Sequence, residues 1–224
     1  MVRRDRNRRQ RLVTRPDPVG AICLLAAPAL LAAGGLWLCP GGACRLPAVD
    51  ASLLTAAHAI RSPVVDAVAA WATWLGSLFV LGPLAMLTAV RLWLGNQVRN
   101  ALALVLSLGG ATALGQLAKL ALARPRPALF ATVGELPNSW SYPSGHGIQA
   151  AATVVTLAML LPDRQRRAGL VVAVALATLV GATRVYLQVH FPTDVLFGLV
   201  AGGLWATGVW RLAQASDRPP GCRG

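Results

Sequence analysis

Thr183-Arg-Val-Tyr-Leu-Gln-Val-His190-Phe-Pro-Thr-Asp194 sets an arginine, a histidine and an aspartate between two apolar segments, 168–183 and 195–210. Ionisable groups beside an apolar run are costly to keep there and need a reason. Two other stretches also close or open apolar runs: Lys119-Leu-Ala-Leu-Ala-Arg124-Pro-Arg126-Pro127 and Tyr142-Pro143-Ser144-Gly145-His146. Cations, histidines and a single carboxylate suit phosphate chemistry, provided the three stretches can meet.

Composition decides the solvent. The chain of 224 residues is 55% hydrophobic and 13% charged, and its mean hydropathy is +0.57. Several membrane spans fit that composition better than a packed soluble core. The apolar segments 19–38, 67–90, 101–118, 147–161, 168–183 and 195–210 predict an all-α bundle of six transmembrane helices. Segment 147–161 is short for a span, and the last three reach spanning length only if their ends include polar residues. Most of the seven tryptophans fall near the ends of apolar runs, where interfacial belts place them.

After the first span, Val49, Leu53, Leu54, Ala57 and Ile60 recur at helical spacing within 48–61. Asp50, Thr55, His58 and Arg61 lie largely elsewhere around that helix, which predicts a short interfacial helix with a wet face. His58 is read as a residue of that wet face, and Asp50, Asp66 and Glu135 as structural.

Charge is segregated along the chain. Residues 1–18 hold seven arginines and predict a disordered basic cytoplasmic arm, drawn to anionic lipid headgroups. The membrane domain is expected over 19–213, followed by a polar cytoplasmic tail over 214–224. A net charge of +13 would suggest nucleic acid in a soluble protein; confinement to membrane-flanking segments argues against that partner. The run 19–38 is long for the core of a signal peptide and is read as a span. With six spans, fifteen cations fall on one face and six on the other. The positive-inside rule makes the fifteen-cation face cytoplasmic, with both termini on it. All three motifs then emerge on the outer face of a multi-pass plasma-membrane protein.

The four cysteines show no metal-ligand spacing. Cys23 and Cys222 are read as inert. Cys39 and Cys44 are either a disulfide facing an oxidising compartment or two unrelated thiols.

Moving a phosphoryl group needs positive charge around its oxygens, a nucleophile in line and a proton for the leaving oxygen. Lys119, Arg126 and Arg184 can supply the charge. Ser144 and Gly145 sit where a turn opens a helix, so their backbone N–H groups can cradle an anion. His190 and Asp194 fall one helical turn apart if Pro192 opens the last span. The carboxylate can then hold one ring nitrogen as N–H and leave the other to attack. His146, without such a carboxylate, suits proton donation to the leaving oxygen. Each residue has a plainer reading: Lys119 and Arg124 as snorkelling flanks, Pro-Ser-Gly as a turn, Asp194 as a helix N-terminal charge. Arg124 is left in that plainer class. For the others, coincidence on one face favours the chemical reading.

Lys119-x6-Arg126-Pro127, Pro143-Ser144-Gly145-His146 and Arg184-x5-His190-x3-Asp194 resemble the three-part signature of the type-2 phosphatidic acid phosphatase superfamily. The resemblance covers roughly residues 100–200 in detail. It implies an integral-membrane lipid phosphatase working through a phosphohistidine, with no metal and no cofactor. On it, His190 is the nucleophile, Asp194 its orienting partner and His146 the general acid. Lys119, Arg126, Ser144, Gly145 and Arg184 bind the phosphate. The sequence departs at Thr183, where the family usually has serine; threonine keeps the hydroxyl and adds a methyl.

The expected activity is hydrolysis of a lipid phosphate or diphosphate at the outer leaflet. Polyprenyl diphosphate or phosphate, phosphatidylglycerol phosphate and phosphatidic acid are all admissible. A lipid phosphotransferase using the same intermediate is the nearest alternative, and a non-catalytic lipid-phosphate binder or transporter a more distant one. Reporter fusions check the topology: those at Gly95 and after Arg223 should report cytoplasm and those near Asn138 the outside, and the reverse pattern would put the motifs on the inner face.

Overall fold

The computed structural model of the protein describes residues 17–215, in which all regular structure is helical. Nearly all of the arm expected over 1–18 and of the tail expected over 214–224 lies outside those residues. Helix α1 runs Pro18–Leu38, α2 Ala48–Ala59, α3 Pro63–Ala72 and α4 Leu78–Leu94. Then come α5 at Val98–Leu122, α6 at Gly145–Met159, α7 at Asp163–Tyr186 and α8 at Pro192–Ala215. Among the described residues, five stretches are long and apolar enough to cross a membrane: Pro18–Leu38, Pro63–Leu94, Val98–Leu122, Asp163–Tyr186 and Pro192–Ala215.

Local chemistry sets the boundaries. Asp17 caps α1 by accepting from the Val19 amide at 3.1 Å, with Pro18 at the first helical position. Ser62 caps α3 in the same way, accepting from Val65 at 3.3 Å. Helix α5 stops where Ala123 turns left-handed at φ 49°. The expected span 67–90 is not one regular helix. A 3₁₀ turn at Thr73–Gly76 separates α3 from α4. A Cβ on Gly76 would lie 2.3 Å from the Val180 side chain and 3.3 Å from the His146 carbonyl, so glycine lets this turn press against α6 and α7. Between α1 and α2, Cys39 and Cys44 are joined in a disulfide, which excludes two unrelated thiols.

Helix α6 explains its own shortness. Residues 147–153 are buried without interruption, and the helix packs against α5, α7 and α8. A helix apolar or small all round belongs inside a bundle, where lipid thickness does not set its length. Small residues allow the approach: a Cβ on Gly202 of α8 would sit 2.4 Å from the Ile148 carbonyl oxygen of α6, and one on Gly208 would sit 2.9 Å from the Gly20 carbonyl of α1. Large apolar side chains point the other way, with Trp71 78% and Phe79 82% exposed, as a lipid-facing surface requires.

One residue of α2 needs correcting: Asp50, expected on the wet face, is buried. Val49, Leu53 and Ile60 are exposed, whereas Asp50 and Leu54 are fully buried. Helical spacing alone could not see that Asp50 meets an arginine from another element. His58 is exposed, as expected, and stacks on Phe130 with ring centroids 4.1 Å apart.

The α6–α8 contact yields a paired test. Gly202→Ala forces a Cβ against main chain and should destabilise the protein by about 1–3 kcal/mol. Gly203→Ala meets open space and should be neutral or slightly stabilising, since alanine favours helix. Thermal midpoints of both variants in one detergent check the contrast.

Candidate active site

Three helix ends converge. The end of α5 and the loop after it bring Lys119, Arg124 and Arg126; the start of α6 brings Ser144, Gly145 and His146; the α7–α8 junction brings Arg184, His190 and Asp194. The charges of Arg184, His190, Arg126 and Lys119 all bear on His146, and those of Arg126, Asp194 and Arg184 on Lys119. All the residues singled out in the three motifs therefore belong to one neighbourhood.

His190 lies in the short link between α7 and α8 and is 2% exposed. Its Nε2 is 3.3 Å from an Arg126 terminal nitrogen, which also donates to the Val189 carbonyl at 2.5 Å. A guanidinium can only donate, so Nε2 offers its lone pair there and the ring proton sits on Nδ1. Nδ1 faces Asp194 Oδ2 at 3.7 Å and the Ser141 hydroxyl at 3.5 Å. Burial pushes the His190 imidazolium down to about 3, helped by Arg126 and Arg184 and opposed by Asp194. The ring is therefore neutral at physiological pH.

Asp194 is fully buried at the third position of α8. Its Oδ2 accepts from the Phe191 amide at 3.1 Å, the return half of a capping box. The same oxygen accepts a short hydrogen bond from Ser141, and Oδ1 accepts from Arg124 at 2.5 Å. The spacing argument holds to this extent: Pro192 opens the helix, and the carboxylate faces Nδ1 across one turn. It also has more partners than that argument supplied.

The cations are held by main-chain carbonyls and by hydroxyl groups. Lys119 donates to the Trp140 carbonyl, and Arg126 Nε to the Ser139 carbonyl at 2.7 Å. Burial lowers the Arg126 guanidinium to about 10, with Asp194 opposing, so it stays charged at neutral pH. Arg184 donates to Thr73 Oγ1 at 2.9 Å, while its Nε is buried with no protein acceptor. The 3₁₀ turn between α3 and α4 thus supplies Thr73, a partner that sequence reading passed over. Ser144 caps α6, its Oγ accepting from Gly147 at 3.3 Å. Its own amide already donates to the Asp194 carbonyl at 3.0 Å, which leaves Gly145 and His146 as the first amides of the turn.

Arg124 is not a snorkelling flank. It is 1% exposed and carries ion pairs to Asp194 at 2.5 Å and to Asp50 at 3.0 Å. It also donates to Thr193 Oγ1 at 3.0 Å and lies over the Phe191 ring at 4.1 Å. Asp50, set aside from sequence as structural, is the far anchor of this cluster. Arg124, Asp50 and Ser141 lay outside the site inferred from sequence; the only signal for Arg124 was its place between Lys119 and Arg126. Among the described residues, no three His, Cys, Asp or Glu side chains converge to hold a metal ion.

Known proteins resemble this chain in sequence and fold. The chain is 32% identical over 159 residues to phosphatidylglycerophosphatase B of Bacillus subtilis, covering 68% of this chain and 77% of that one. It is 34% identical over 127 residues to undecaprenyl-diphosphatase of Sulfolobus acidocaldarius, 55% of this chain and 57% of that one. The crystal structure of a transmembrane PAP2-type phosphatidylglycerolphosphate phosphatase from Bacillus subtilis matches with a TM-score of 0.71 at 29% identity, covering 90% of this chain and 96% of that one. The model of the PAP2 superfamily matches residues 100–218, a stretch that contains every residue of the three motifs. On the agreement of motif, fold and sequence, the chain belongs to the PAP2 superfamily.

Proposed function

We propose that the protein is a membrane-embedded phosphatase that hydrolyses a lipid phosphate or diphosphate at the outer leaflet through a phosphohistidine. The observation that carries this reading is the placement of His190, whose Nε2 lies 3.3 Å from Arg126 in the neighbourhood of Lys119, Arg184 and His146. Relatives named as phosphatases for phosphatidylglycerophosphate and for undecaprenyl diphosphate support lipid phosphates as the class and leave the tail open. In this reading α6 makes the sixth crossing, α2 lies at the outer interface, both termini are cytoplasmic, and the N-terminal arginines contact anionic headgroups.

The chemistry runs in two steps. The phosphate enters with its oxygens toward Lys119, Arg126 and Arg184 and toward the amides at the start of α6. The Nε2 lone pair of His190 attacks phosphorus as the bond to the leaving oxygen breaks, and His146 gives that oxygen its proton. Asp194 faces Nδ1 and stabilises the positive charge that the ring gains. Water then attacks the phosphohistidine, His146 takes its proton, and the P–N bond breaks to release phosphate and restore His190. The cations supply the charge stabilisation that metals give other phosphoryl-transfer sites, so no metal or cofactor is needed.

A panel of lipid phosphates tests substrate class and metal independence together. Purified protein should release phosphate from at least one lipid with its rate unchanged by EDTA. A rate abolished by EDTA and restored by a divalent cation would overturn the metal-free mechanism, and product formed only with an added acceptor would identify a transferase.

The two histidines separate by substrate. His190→Ala should abolish labelled phosphoenzyme on every substrate. His146→Ala should lose most on a lipid alkoxide and least on an activated aryl phosphate, whose anion leaves unaided. Labelled phosphate trapped on His190→Ala but not on His146→Ala would exchange their roles.

A further inference from the structure

Asp50 lies outside the segment matched by the family model, in the first turn of α2, yet both of its oxygens are spent at the mouth of α8. Oδ1 accepts from the Thr193 amide at 2.9 Å; Oδ2 accepts from the Thr193 hydroxyl at 2.7 Å and from Arg124 at 3.0 Å. One Arg124 nitrogen holds Asp194 Oδ1 and Thr193 Oγ1, and the other holds Asp50 and the Arg45 carbonyl at 3.3 Å. The guanidinium is thus clamped edge to edge between two carboxylates, over the Phe191 ring. Asp50, Asp194 and Arg124 have essentially no solvent exposure. A buried charge that loses its partner must find another or move.

We propose that Asp50, acting through Arg124 and Thr193, is a positioning residue that fixes the Asp194 carboxylate against Nδ1 of His190. Three observations favour this over simple tethering of α2 to α8. Arg124 supplies the ion pair on Asp194 Oδ1, whereas Oδ2 is divided among Ser141, Phe191 and the histidine. The plane of the carboxylate therefore depends on where Arg124 stands. Arg124 in turn is fixed on its other edge by Asp50, and the Thr193 amide that Asp50 accepts from is one residue before Asp194. A tether alone needs one of these bonds; here every side-chain bond of Asp50 ends on a group that touches Asp194 or adjoins it in the chain.

The inference rests on His190 being the nucleophile and Asp194 its partner, and the test keeps the two apart. Wild-type hydrolysis of an activated aryl phosphate, absent in His190→Ala, checks the underlying reading first; no hydrolysis by the wild type would remove both ideas before any network variant is made. Asp50→Asn keeps the volume of the side chain and presents an NH₂ group where an acceptor is needed. It should lower kcat by about 10-fold, at the low end of the loss that removing an outer supporting group brings, because Asp50 reaches His190 only through Arg124 and Asp194; KM should be nearly unchanged. Added to Asp194→Asn, it should cost little more, because it acts through that carboxylate. Added to His146→Ala, it should multiply the loss.

Thr193→Val guards against failure of Asp50→Asn to fold. It removes the hydroxyl shared by Asp50 and Arg124 and keeps the amide bond; kcat should fall several-fold, and Thr193→Ser should restore it. An unchanged kcat in folded Asp50→Asn, or losses that multiply with Asp194→Asn, would overturn the proposal. So would loss of fold in both Asp50→Asn and Thr193→Val, which would leave the cluster a purely structural role.

Discussion

A carboxylate without solvent keeps its charge only when donors reach it from several sides, and much of the end of the bundle where the three motifs meet is arranged around Asp194. Arg124, Ser141, the Phe191 amide and the facing edge of His190 come from four positions in the chain. Its main-chain carbonyl also takes the Ser144 amide, so the same residue ties the start of α8 to the start of α6. The geometry that faces His190 and the capping of α8 are therefore not separable here. The bond that caps α8 is made by the oxygen that faces the histidine.

Part of this was legible in the sequence for a simple reason. Lys119, Arg126, His146, Arg184, His190 and Asp194 are ionisable residues at the ends of apolar runs, and such positions are rarely filled without cause. The spacing His190-x3-Asp194 with Pro192 between them also dictated where α8 begins, and the helix starts there. What stayed hidden were partners whose meaning depends on a fold-level contact. Asp50 looked like the polar face of an amphipathic helix because periodicity records which side a residue is on, not what stands opposite. Arg124 looked like a flank because arginine is common at membrane ends, and nothing local marks one that is buried between two acids. Ser141 and Thr73 are small hydroxyl residues of loops and turns, types so common there that they give no signal.

The secondary structure was legible to a similar degree. Segments with long apolar runs became long helices, with ends shifted by a few residues. The expected continuous span at 67–90 broke at Thr73–Gly76 because Gly76 is pressed against Val180 and α6 while Thr73 reaches Arg184. Segment 147–161 was ambiguous for a physical reason: a helix enclosed by three others has no need of the length or the hydrophobicity that lipid demands.

The pairing of α1 with α8 ties the order of synthesis to the appearance of a complete site. Gly20 and Gly208 bring the first and last described helices into contact, so α1 lacks its main helical partner until α8 has been made. His190 and Asp194 sit at the head of that same last helix. A nascent chain already bearing Lys119, Arg126 and His146 still lacks both the facing imidazole and the second of the two acids that pair with Arg124. Arrival of this last segment thus completes the three-motif cluster and the packing of α1 together, and a chain cut short at the end of α7 holds its cations without His190 or Asp194.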